Sequence, residues 1–299
     1  MVTARLAKGG SGSAHLARGG SGESRLASGG FSIAILEHQD DGFTPLSIPP
    51  ADRLFFADGT TLQPASGSSP YAATGWGNLL SGGVGDLTVG SGHPNIFDPS
   101  AVHFLGGRRV QLVQADLDHF VCPGDAATYA AFSNGAGGTG ILGFLPTSTD
   151  TAQFLFGTDN TTVNQTGFWL RYDGTSERLA FGWNDSSGTA LLTVTTDNDS
   201  CLLGEPHVVS LQIADRTPGF VEDDVYDVEI RLDNKLIEGL ELGASKVPPA
   251  GNPQGPMHIG RRVVTAAGYL GADLFLVGAA LGLYGKPLSQ WAETQRIAA

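Results

Sequence analysis

Residues 225–239 read VYDVEIRLDNKLIEG, and their alternation decides the fold. Val228, Ile230 and Leu232 fall on one side of an extended chain, and Asp227, Glu229, Arg231 and Asp233 on the other. A period of two is the mark of a strand with one face against a core. Asp233-Asn234-Lys235 supplies the turn chemistry of a hairpin tip. Working outward, the same signature recurs. In GFWLRYDGTSERLAFGW (167–183), Phe168, Leu170 and Tyr172 share a face, Asp173-Gly174 begins a turn, and Leu179, Phe181 and Trp183 share the returning face. PHVVSLQIAD (206–215) puts Val209, Leu211 and Ile213 on one side. AVHFLGGRRVQLV (101–113) reads as a hairpin around Gly106-Gly107. DLFLVGAALGLYG (273–285) is apolar on both faces, as a central strand is. Only SQWAETQRIAA (289–299) reads as helix. Short alternating strands with a turn every 8–12 residues predict an all-β fold, an antiparallel β-sandwich.

Composition supports this and excludes several classes. Of 299 residues, 41% are hydrophobic, enough for a sizeable core, and 43 are Gly, which fits many turns. The formal net charge is −13, which argues against nucleic acid or an anionic membrane as the partner. No apolar run reaches the roughly 18 residues of a membrane span, and no signal-peptide pattern is present, so synthesis in the host cytoplasm is expected. Cys122 and Cys201 are the only cysteines. One pair makes no disulfide framework, and two small buried thiols are expected.

The N-terminus is of another kind. ARLAKGGSGSAHLARGGSGESRLASGG repeats one phrase every ten residues, with Leu6, Leu16 and Leu26 each followed by Ala and then a Gly-Gly pair. Residues 1–30 carry Arg5, Lys8, Arg18 and Arg25 against Glu23 alone. One Leu per decad cannot offset the ordering entropy of Gly-rich chain. The segment is therefore either a linker or an arm that orders on a partner. Regular Leu spacing, absent from plain Gly/Ser linkers, favours a docking arm built on Arg5, Leu6, Lys8, Leu16, Arg18, Arg25 and Leu26. Residues 31–98, rich in Pro and Gly, read as a β/loop transition region that packs on a neighbour, with boundaries at Pro49-Pro50 and in the Gly-rich run 82–92. Residues 99–299 read as the main β domain.

The order of phrases in that domain resembles the laminin-G-like, concanavalin A-like lectin/glucanase jelly-roll family. HFLGGRRVQLV (103–113) is similar to its opening F-x-G-x-x-x-V-x-L phrase. PHVVSLQIAD and DVEIRLDNKLIEG follow as its His-bearing strand and hairpin, GPMHIGRR (255–262) as its l-x-I-G phrase, and YLGADLFLVGAALGLYGKPLSQW (269–291) as its closing run with Leu288-Ser289. The resemblance covers residues of about 100–295. It implies a concanavalin A-like jelly roll with an extended N-terminal arm, and no particular activity, since the fold hosts lectins, enzymes and structural modules.

Each candidate site has a plainer alternative. Glucanases of this family carry alternating acids on one strand; Asp227, Glu229 and Asp233 share a face, but their order does not match, and a solvated outer face is the expectation. No enzyme is expected. Asp197 and Asp199 are candidate Ca²⁺ ligands and equally ordinary turn formers; no other cofactor is implied. His207 falls where the family has a structural histidine. Trp183, Asn184 and Asp185 could stack on and hydrogen-bond a sugar, although Trp183 is also in register with Leu179 and Phe181 for the core; Trp76 is a weaker candidate. Jelly rolls resembling this one decorate the heads and tails of phage particles. The leading expectation is a virion structural protein held by its arm to other capsid or tail proteins, self-associating as a homodimer or homotrimer. The alternative is a lectin-like adhesion module for a cell-surface glycan.

Overall fold

The computed structural model describes residues 43–67, 70–98, 108–134, 137–158, 167–184, 190–213, 228–240, 253, 255–261 and 268–297, with three strands before them. The chain divides into two compact units, Met1–Phe43 and Thr44–Ala299. In the first, β1 (His15–Arg18), β2 (Gly22–Ala27) and β3 (Ile35–Leu36) form an antiparallel sheet in that order. Leu16 pairs with Ser24, and Leu26 with Leu36. The pairing of β2 with β3 thus runs past residue 30, where the repeat segment was expected to end. Leu36 lies ten residues beyond Leu26, although Glu37 and Gln39-Asp40 stand where the repeat has Ala and Gly-Gly. Arg5, Leu6 and Lys8 lie outside the described residues.

The second unit is an all-β sandwich. Its strands are β4 (Arg53–Asp58), β5 (Leu62–Pro64), β6 (Tyr71–Trp76), β7 (Leu87–Ser91), β8 (Asn95–Phe97), β9 (Arg109–Leu112), β10 (His119–Val121), β11 (Gly138–Pro146), β12 (Gln153–Gly157) and β13 (Gly167–Asp173). They continue with β14 (Arg178–Asn184), β15 (Ala190–Thr195), β16 (His207–Ile213), β17 (Val228–Leu232), β18 (Lys235–Leu240), β19 (His258–Ile259) and β20 (Ala272–Leu281). Two helices are added, α1 (Ala130–Asn134) and α2 (Gly285–Ile297). In one layer β20 pairs with β11 on one side and with β4 and β9, end to end, on the other; β16, β17 and β18 continue from β11, and β8 from β9. The other layer runs β5-β6-β7-β10-β19-β12-β13-β14-β15. β6 joins them, pairing at Tyr71–Ala72 with β8 and at Gly75–Trp76 with β7.

Between the layers lies one core, to which the predicted inward residues all belong: Phe168, Leu170, Tyr172, Leu179, Phe181, Trp183, Val209, Leu211, Ile213, Val228, Ile230 and Leu232. Phe144 of the first layer meets Tyr172 of the second edge-on, centroids 6.2 Å apart. Cys122 and Cys201 are free, buried thiols, and burial raises both above the usual thiol range.

Two expectations are corrected here. Residues 44–98 are no transition zone packed on a neighbour but strands of the sandwich itself. Leu54–Ala57 is buried on both faces because β4 lies beside β20 with α2 over it, Phe56 meeting Trp291 edge-on at 5.2 Å. Trp76 is core, its indole N–H donating to the Asp58 carbonyl at 2.7 Å. Nor is the acidic face of β17 solvated. α2 begins earlier than the sequence suggested, with Pro287 tolerated in its first turn, and it packs on β11, β16 and β17. Beneath it the buried Glu229 carboxylate is held by Arg231 at 3.2 Å. The hairpin expected at 101–113 has β9 as its second strand and β8 as partner; Gly106-Gly107 lies outside the described residues.

Candidate functional site

A sandwich has two outer faces. α2 covers much of one, and the other carries a row of rings and cations. Alternation puts them there. Phe168, Leu170 and Tyr172 of β13 point into the core, so Trp169 and Arg171 point out. Phe120 of β10 and Ile259 of β19 point in, so His119 and His258 point out. Phe154, Trp169 and Ala180 accordingly form an apolar cluster of their own, separate from the main core.

The row is continuous across five strands. His119 and His258 stack nearly parallel, centroids 5.5 Å apart at 8°. Tyr269 lies 6.0 Å from His119. The neighbouring Gly268 carbonyl accepts the Phe154 N–H at 3.0 Å, and Phe154 meets Trp169 edge-on at 6.0 Å. Trp169 lies across Gly182 of β14, where any Cβ would overlap the indole. The Arg261 guanidinium sits over Tyr269 at 5.5 Å and that of Arg171 over Trp169 at 5.0 Å. Tyr269 and Trp169 keep only 5% and 7% of their surface, so each ring is roofed and the chemistry the face presents is guanidinium.

Buried polar groups hold the row in place. Asp118 is fully buried; one carboxylate oxygen accepts the His93 N–H at 2.7 Å and the other the Val113 N–H at 2.9 Å. It thereby pins two loops beneath His119. Gly92 completes this, with φ +76 and no room for a Cβ beside the carboxylate. His119 Nδ1 is 3.1 Å from the Leu117 carbonyl, which can only accept. The Ser91 hydroxyl stands at the same 3.1 Å from Nδ1, and Nε2 is 3.4 Å from Arg261 Nη1.

Burial and the Arg261 charge disfavour the charged form of both imidazoles. Burial lowers the His119 pKa, and the Arg261 charge adds to this against the Leu117 hydrogen bond. Burial, then His119 and Arg261, push His258 down to about 3. The sign for stability follows. An unfolded imidazole takes up a proton near pH 6.5, whereas folded His258 does so only near 3. Its contribution is complete above about pH 6.5 and is lost as pH falls towards 3, at up to about 1.4 kcal/mol per pH unit. Thermal midpoints from pH 7 to 4 should show a shallower fall for His258→Phe than for the unaltered chain; equal slopes would put the proton uptake elsewhere.

The structure separates the residues singled out in sequence. Trp183 is 1% exposed, its indole N–H donating to the Phe132 carbonyl at 2.9 Å. A ring with no open face cannot stack on a sugar, so the expectation for Trp183 is corrected in favour of the core. Asn184 is also buried, and Asp185 lies outside the described residues. Asp197 and Asp199 are exposed in a turn where Asp199 has φ +58 and its N–H donates to the Ser176 carbonyl at 3.0 Å. Among the described residues no three His, Cys, Asp or Glu side chains gather as metal ligands. His207 is structural, its Nδ1 2.8 Å from Asp233 and its Nε2 3.1 Å from the Leu202 carbonyl. Leu16, Arg18, Arg25 and Leu26 lie on β1 and β2 of the first unit.

His119, His258, Arg261, Tyr269, Trp169 and Arg171 were missed. For Trp169 and Arg171 the signal was present: they are the alternate set of a strand whose inward set was read correctly.

No family model and no curated protein matches the chain. Solved structures do. The binding domain of Paraclostridial Mosquitocidal Protein 1 is similar at 11% identity and TM-score 0.51, covering 83% of this chain and 52% of that one. The CBM40 of Ruminococcus gnavus IT-sialidase, also solved bound to α2,3-sialyllactose, is similar at 17% identity and TM-score 0.43, over 56% of this chain and 86% of that one. The binding domain of botulinum neurotoxin serotype G is similar at 9% identity and TM-score 0.47, over 82% and 51%. At such identity the likeness to the first speaks for the fold alone, a β-sandwich.

Proposed function

We propose that this chain is a carbohydrate-binding, lectin-like module, not an enzyme, and that its ligand lies along the outer face of the β5–β15 layer over Arg171 and Arg261. The observation that carries the reading is the row of ring-backed guanidiniums on the face that α2 leaves open. A neutral hexose would need an open aromatic face, and these rings are roofed. A guanidinium stacked on a ring is a cation fixed in place, and guanidinium is the side-chain group best matched to a carboxylate or sulfate. On a chain of net charge −13 these are sites of opposite sign, which selects for an anionic sugar. A glycan array with acidic and neutral members tests this. The unaltered chain should retain acidic glycans, and the Arg171→Gln/Arg261→Gln variant should lose them. Retention of no glycan, or equal retention by the variant, would overturn the reading.

A second reading, a virion head-decoration or tail protein displaying the sandwich, is favoured by one observation: the decad segment is a compact unit separate from the sandwich, as an anchoring arm would be.

A further inference from the structure

The two ring-backed guanidiniums of the open face are not neighbours, and their separation limits what can hold both. The layer runs β10-β19-β12-β13-β14 at this point. Arg171 lies on β13, and Arg261 follows the end of β19 by two residues, so β12 stands between them. Phe156 of β12 pairs with Leu170 on one side and with Ile259 on the other, which sets the two arginines beside the same stretch of that strand.

Their stacking partners draw the charges apart. Trp169, the ring beneath Arg171, lies across Gly182 of β14, on the side away from β12. Arg261 Nη1 is 3.4 Å from His119 Nε2, and that nitrogen lies over Gly90 of β7, beyond β10. From β13 to β10 is three strand spacings, which places the guanidiniums roughly 15 Å apart. Between them the floor is apolar: Phe154 of β12 is buried and meets Trp169 edge-on at 6.0 Å.

One sugar ring with one acid group is shorter than this span, so a glycan with a single terminal acid reaches one guanidinium at a time. A linear chain with acids on alternate sugars reaches both, with an uncharged sugar laid over Phe154. Once the first acid is held, the second is presented to its arginine at high local concentration, and the two contacts reinforce each other. The net charge of −13 repels a polyanion from the chain as a whole, so the gain depends on these two cations.

We infer that the ligand is a linear acidic polysaccharide with its acid groups on alternate sugars, lying across the strands from Arg171 to Arg261. This rests on the glycan reading above and narrows it from any acidic sugar to a repeating one.

Calorimetric titration of the full chain with hyaluronan oligosaccharides tests it. The disaccharide carries one carboxylate and the hexasaccharide three, on alternate sugars; 3′-sialyllactose carries one, at its end. The unaltered chain should bind the hexasaccharide roughly tenfold or more tighter than either one-acid ligand. Arg171→Gln and Arg261→Gln should each reduce that advantage to about threefold, the statistical gain of three equivalent acids. The comparison of ligands on the unaltered chain holds whether or not a variant folds. Hexasaccharide affinity no greater than that of the one-acid ligands, or a full length advantage surviving in either single variant, would overturn the inference and leave a single-acid site standing. Binding of none of these ligands would remove the glycan reading with it.

Discussion

Trp183→Ala is expected to lower the unfolding free energy by about 3–5 kcal/mol. The side chain is 1% exposed, meets Phe181 edge-on at 5.8 Å, and donates its indole N–H to the Phe132 carbonyl at 2.9 Å. Truncation opens a large cavity between the layers and leaves a buried carbonyl without its donor. Trp183→Phe keeps most of the packing and loses only the hydrogen bond, for a cost of about 1–3 kcal/mol. Urea unfolding of the three proteins measures the difference. A loss below about 1 kcal/mol for the alanine variant would place the ring at the surface and restore the sugar-stacking role that its sequence neighbours Asn184 and Asp185 suggested.

Gly182→Val is expected to act in the opposite compartment. Its backbone is ordinary; what requires glycine is the Trp169 indole lying across it. A branched side chain must push the indole off the sheet and carry Arg171, stacked at 5.0 Å, out of place. Retention of acidic glycans should fall by roughly tenfold or more, with a smaller drop in thermal midpoint than Trp183→Ala produces. Unchanged retention would detach Trp169 and Arg171 from the ligand site.

The contrast between these two tryptophans shows how far the sequence could be read. Alternation placed the inward residues of β13, β14, β16 and β17 correctly, because a period of two needs only local information. One of the same strands, β13, carried two of the six site residues: Trp169 and Arg171 are the outward set between Phe168, Leu170 and Tyr172. The other four were out of reach. His119 and His258 stand 139 positions apart and meet only because β10 pairs with β19, setting Val121 against His258. Arg261 and Tyr269 are brought to them by that pairing. Residues 44–98 were misread for a related reason. Their Pro and Gly signalled loops, and the run Leu54–Ala57 lacks alternation because both of its faces are buried.

A ligand on the outer face of the β5–β15 layer shields the amides beneath it, and amide hydrogen exchange with and without the acidic glycan best retained on the array reads that shielding strand by strand. Protection should rise in β10, β12, β13 and β19 and at Arg261 and Tyr269, and stay unchanged in β16, β17 and α2. Protection confined to β16, β17 and α2, or to residues 1–43, would contradict it.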